Sequence, residues 1–126
     1  DNRMGELSII HHQLFSFNRN DIERGLFIAT QIHGLGTAGA SGLLSVLFPK
    51  DFGTVDQFVV KALCDVEGLK EHSQLASMSP MSLSAKDGVI IIAILRRKAS
   101  ELNKSFGTDF WTPRMIDKVL WTVGRV

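Results

Sequence analysis

Paired glycines at 34 and 36 and a proline at 49 leave twelve residues between them, TAGASGLLSVLF, in which to place one short helix. Gly34 and Gly36 permit backbone angles that other residues resist, so HGLG reads as a sharp turn. Pro49 has no N–H to donate and its ring clashes with the preceding turn, so no helix runs through it. Twelve residues make about three turns, roughly 18 Å of helix. Ala40, Leu43, Leu44 and Leu47 mark its apolar face, and Gly39, Ala40 and Gly42 are small enough for a neighbouring helix to approach closely. After KDFGT, Asp56 can accept hydrogen bonds from the first free amides of a following helix, QFVVKAL. Residues 31–63 therefore predict helix, turn, helix, loop, capped helix.

The flanking sequence extends this pattern. Leu7, Ile10, Leu14 and Phe17 recur at three- and four-residue steps, giving a first amphipathic helix in GELSIIHHQLFSF. NRND interrupts it, and Asn20 with Glu23 reads as a capping pair for a second helix, IERGLFIATQI. Residues 67–84, rich in serine and holding Pro80, read as loop. Ser84 with Asp87 opens one long helix, AKDGVIIIAILRRKASELNKSF; its Val-Ile run is also compatible with a buried strand, but the helix formers that follow favour helix. Thr112 and Pro113 occupy the cap and first position of a last helix, with Ile116, Leu120 and Val123 inward. The expected fold is all-α: one domain over 1–126, with five or six helices and its helix–turn–helix core at about 21–66.

Composition bounds the function. With 126 residues, 44% of them hydrophobic, the chain can bury one core. Its single cysteine, Cys64, excludes an internal disulfide or a Cys-based zinc or iron–sulfur site. VIIIAIL, the longest apolar run, is too short to cross a bilayer, and no secretory signal pattern opens the sequence, so a cytoplasmic protein without a membrane partner is expected. Net charge is +1, distributed unevenly: residues 1–83 hold six Lys/Arg against nine Asp/Glu, residues 84–126 eight against four. A basic C-terminal part is weak support for an anionic partner.

A helix opening directly after a glycine turn points unpaired amides outward, and these can hold a phosphate oxygen with help from the helix dipole. Gly34, Leu35, Gly36, Thr37 and Ala38 are the candidate binding residues. The same glycines serve equally well to let two helices meet at a sharp angle, and Asp56 serves equally well as a cap alone.

Taken together, IHGLGTAGASGLLSVLFPKDFGTVDQFVVKAL resembles the helix-hairpin-helix and Gly/Pro…Asp signature of the base-excision DNA glycosylase superfamily, the endonuclease-III-like enzymes. Ile32, Gly34, Leu35, Gly36, Ala40, Leu44, Pro49, Val55 and Asp56 stand at corresponding places, while His33 replaces the usual proline. The resemblance covers about a quarter of the chain. It implies that the hairpin amides contact the backbone of double-stranded DNA and that Asp56 is the catalytic carboxylate acting on a flipped-out nucleotide. Bifunctional members carry a lysine where this chain has Ala38, so Schiff-base lyase chemistry is not expected. The expected function is DNA-backbone binding; a monofunctional glycosylase using Asp56 and a non-catalytic interaction domain are the alternatives.

The remaining candidates are weaker. Arg96, Arg97 and Lys98 can reach phosphate, or form an ordinary solvated helix face. His11 and His12 are adjacent and point to different sides of a helix, and His33 and His72 lack patterned partners, so neither a metal nor a cofactor is expected. Cys64 reads as a small core residue, the serines lack a nucleophile elbow, and Trp111 and Trp121 read as core, with Trp111 also able to pack on a partner or a base.

Overall fold

The central element of the fold is a 22-residue helix that buries Ile91, Ile92, Ile94, Leu95 and Ala99 along one side. The computed structural model of the chain describes residues 2–32 and 34–126; the side chains of Asn2 and Arg3 and the whole of His33, at the predicted turn, lie outside the described residues. These residues form helices α1 (Asn2–Ser16), α2 (Ile22–Thr30), α3 (Thr37–Leu47), α4 (Gln57–Cys64), α5 (His72–Ser77), α6 (Ala85–Phe106) and α7 (Pro113–Gly124), with no strand among them. The Val-Ile run that suited either structure is helix.

Helix α6 packs against α2, α3 and α7, while α4 and α7 form the most extensive helix pair. Two glycines make the close approaches possible. A Cβ on Gly88 of α6 would lie 2.8 Å from Thr37 Cγ2 and 3.0 Å from Leu26 Cδ1, so α6 meets the start of α3 through the missing side chain. A Cβ on Gly124 would lie 1.9 Å from the Phe58 carbonyl oxygen, so the end of α7 rests on the backbone of α4.

Local chemistry sets most helix ends. Ser84 Oγ accepts from Asp87 N and Asp87 Oδ2 accepts from Ser84 N, a complete capping box at the start of α6. Gly107, at φ +62°, closes that helix in the left-handed conformation. Thr112 Oγ1 accepts from Met115 N ahead of Pro113. At α2 the cap is Asp21, which accepts from Arg24 N, and not the expected Asn20, whose own amide is drawn back to Asn18 Oδ1. Residues 67–84 contain α5, a six-residue helix whose N-cap Glu71 makes no side-chain bond to it, so the described residues form seven helices where five or six were expected. Leu7 and Val123, expected inward, are 52% and 58% exposed; α1 is contacted chiefly by α2, and only its Leu14 end is covered.

Two arginines hold the long helix to its surroundings. Arg96 donates from Nε to the Asp51 carbonyl and from Nη2 to the Arg19 carbonyl, both at 2.6 Å, with its guanidinium 4.9 Å from the centre of the Phe52 ring. Arg97 makes a two-pronged pair with buried Glu71 at 2.5 and 2.8 Å, which fixes α5 to α6.

Candidate nucleic-acid interface

The turn between α2 and α3 is built by backbone alone. The Leu35 amide donates to the Ile32 carbonyl at 3.2 Å, and Gly34 takes φ +90°, a conformation that a side chain would strain. Gly36 is the N-cap of α3, in extended geometry at φ −91°, with no side chain to cap the helix. Its carbonyl accepts the first helical bond, from Ala40 N at 2.8 Å. The amides of Thr37, Ala38 and Gly39 precede that bond and find no partner among the described residues. Gly36, Ala38 and Gly39 are exposed there, whereas the Thr37 methyl group is turned against Gly88. The Leu35 side chain folds over Gly39, whose absent Cβ would lie 2.9 Å from Leu35 Cδ2. An uncapped helix start of this kind offers several N–H donors and the positive end of the helix dipole to an anion.

The second part of the site is the irregular segment 52–56. Phe52 and Val55 are fully buried and anchor it in the core. Its polar groups are bonded by side chains from two helices: Ser41 Oγ of α3 accepts from Val55 N at 2.8 Å, and Asp117 Oδ2 of α7 accepts from Thr54 N at 2.6 Å. Thr54 Oγ1 lies 3.0 Å from Ser45 Oγ and accepts from Arg114 Nη1 at 3.1 Å. Thr54 pairs with Ser45 and Val55 with Ser41, so the segment runs back along α3 toward the turn. Ser41 stands four residues from Thr37, about 6 Å of helix axis. Asp56 is the next residue along that direction and opens α4.

Asp56 Oδ1 accepts from Phe58 N at 3.0 Å and Val59 N at 2.9 Å, the expected cap of α4. Oδ2 has no partner among the described residues. The side chain lines an open cleft of about 400 Å³ between α4 and α7, together with Thr54, Val59, Arg114, Asp117, Lys118, Trp121 and Thr122. The cap and the cleft are therefore compatible: one oxygen holds the helix while the other is left uncommitted.

Asp117, unremarked in the sequence, is the most buried charged group here, at 2% exposure. Burial raises its pKa; the bonds from Thr54 and Arg114 oppose that shift, and the negative charge of Asp56 adds to it. Arg114 Nη1 donates to its two oxygens at 2.9 and 3.2 Å. The available signal was Asp117 on the otherwise apolar face of its helix, with Arg114 one turn before it at i−3. Ser41 and Ser45, one turn apart among Ala40 and Leu44, carried a similar one: buried hydroxyls need partners, and segment 52–56 supplies the Val55 amide to Ser41 and the Thr54 hydroxyl to Ser45.

The other expected site residues lie elsewhere and are engaged. Arg96 and Arg97 make the internal bonds described above, and Lys98 Nζ is 3.0 Å from Glu101. Trp111 and Trp121 are half-buried, the latter edge-on to Phe58 with ring centres 5.8 Å apart. Cys64 is half-buried, and burial raises its pKa. No group of three His, Cys, Asp or Glu among the described residues converges as a metal site, and no helix is long and apolar enough to cross a membrane. Comparison with family models, curated proteins and solved structures finds no match to this chain.

Proposed function

We propose that this chain is a DNA-backbone-binding domain of helix-hairpin-helix type, related to the DNA glycosylases and without their lysine-dependent lyase chemistry. The observation that carries the reading is the exposed, uncapped start of α3 after Gly34–Leu35–Gly36, whose amides have no partner among the described residues. Backbone donors of this kind fix a protein on phosphate without reading bases. Arg96, Arg97 and Lys98 are left out of the interface because their charges are already met within the fold. The test is equilibrium binding to a short labelled duplex at low and rising salt. Binding that weakens steeply with salt is expected; no detectable binding at the lowest salt refutes the reading.

A second reading, monofunctional base excision by Asp56, is favoured by one particular: that carboxylate lines an open cleft with one oxygen uncommitted. A carboxylate there can stabilise positive charge as a glycosidic bond breaks. Asparagine keeps the capping oxygen, so Asp56→Asn is expected to stay folded and to bind duplex while losing base release from lesion-bearing DNA. Undiminished base release in that variant, or none from the wild type on a broad lesion panel, removes this reading.

A further inference from the structure

Helix α7 carries Arg114, Lys118, Thr122 and Arg125 at its start, middle and C-cap, spaced i, i+4, i+8 and i+11. At about 100° per residue these fall within an arc of roughly 80°, and Trp121 falls beside them. The lining of the cleft agrees: Arg114, Lys118, Trp121 and Thr122 all face it. The Arg125 guanidinium sits 4.6 Å over the Trp121 ring. One face of α7 is therefore a cationic stripe beside an indole.

The charges on this stripe are unequally used. Arg114 is held by Asp117 and Thr54, at the foot of the cleft. Lys118 and Arg125 are exposed, and their side chains form no hydrogen bond or ion pair among the described residues. Of the two carboxylates that line the cleft with Lys118, Asp117 is engaged by Arg114 and the Thr54 amide, and Asp56 holds the amides of α4 through one oxygen. Like charges one turn apart, Arg114 and Lys118, cost a helix a few tenths of a kcal/mol. No ion pair among the described residues holds the Lys118 ammonium, and a polyanion outside the fold would lower that cost.

We infer that this face of α7 is a second contact for the DNA backbone, with Lys118 and Arg125 each neutralising a phosphate of the duplex that the α3 start grips. The inference rests on the DNA-binding reading. Arg114 is tied through Thr54 to Ser45, eight residues or about 12 Å along α3 from Thr37. Arg114 to Arg125 adds about 16 Å of helix. One chain of side-chain contacts thus links the helix that opens at the hairpin to the cationic face of α7.

The test is fluorescence anisotropy of the intact chain with a short labelled duplex between about 50 and 200 mM salt. The Lys118→Ala/Arg125→Ala double variant should lower the salt slope by about 1.8 and weaken binding about 60-fold at 0.1 M salt, the effect of two lost phosphate contacts. Both side chains are exposed, so its melting temperature should match the wild type, and Lys98→Ala, on an internally paired charge, should leave the slope unchanged. If the wild type binds and the double variant keeps its slope, the α7 contact is refuted while the hairpin reading stands. If the wild type does not bind duplex at all, both fall. If it binds phosphatidylserine vesicles through Lys118 and Arg125 but not duplex, the stripe serves a membrane surface and the inference is likewise overturned.

Discussion

Replacing Gly36 by aspartate sets stability and binding against each other. Gly36 is the N-cap of α3 in extended geometry, φ −91° and ψ −165°, and a Cβ there meets no atom within 4 Å. Aspartate therefore fits without strain, and its carboxylate can accept from the free amides at the helix start. As a cap it exceeds glycine by a few tenths of a kcal/mol, and its charge at the positive end of the helix adds about 0.3–1 kcal/mol. For a chain of this length the sum raises the melting temperature by about 2–5 °C. The same carboxylate occupies the position that a phosphate would take and repels it. Losing one phosphate contact costs about eightfold in affinity at 0.1 M salt, and the new negative charge adds to that loss. Thermal melts followed by circular dichroism and anisotropy on one labelled duplex give both numbers from a single preparation. A variant that is more stable and binds less supports the hairpin reading. One that is more stable and binds equally well refutes it, because the amides would then be satisfied by the cap without any cost to the complex. A lowered melting temperature refutes the cap geometry itself.

Other perturbations probe the supports of the site. Asp56→Ala should lose about 1 kcal/mol through the uncapped start of α4, while Asp56→Asn should lose little, as read by urea denaturation. Two helical glycines should respond with opposite signs: Gly124→Ala drives a Cβ to 1.9 Å from the Phe58 carbonyl and should cost about 3 kcal/mol or more, whereas Gly42→Ala meets nothing within 4 Å and should gain about 0.5–1 kcal/mol. Glu71 has its pKa lowered, chiefly by the hydrogen bond from Arg97. Its contribution is therefore present above the ordinary Glu value, about 4.3, and is lost as pH falls through the depressed one. Glu71→Gln should be less stable than the wild type at neutral pH, with the difference shrinking toward pH 3 in urea melts; a difference that stays constant with pH refutes the pairing.

What could be read in the sequence was what is decided locally. Asp56, Ser84 with Asp87, and Thr112 before Pro113 cap their helices through partners two or three residues away, so composition at those positions was enough. Helix α5 escaped because six residues carry no distinct apolar face and its cap uses no side-chain bond. The fate of Arg96 could not be read, because its partners are carbonyls 45 and 77 residues away, and backbone carbonyls leave no mark in composition. Leu7 followed the helical period correctly but the period does not say which part of a face is covered; α1 is contacted mainly near its C-terminal end. For the site, Asp56 and the glycine turn were legible as separate features. The cleft was not, since it exists only where α7 meets α4 and brings Asp117, Arg114 and Lys118 to them.

Segment 52–56 has no regular structure, yet its Thr54 and Val55 amides are held by carboxylate and hydroxyl oxygens 63 and 14 residues away in sequence. Phe52 and Val55, both fully buried, anchor the segment beside these bonds. In hydrogen exchange the Val55 amide should therefore behave as a slow core amide, and the Thr54 amide, beside the open cleft, should exchange faster. The Asp56 carboxylate is therefore carried by a loop that two helices distant in sequence hold in place.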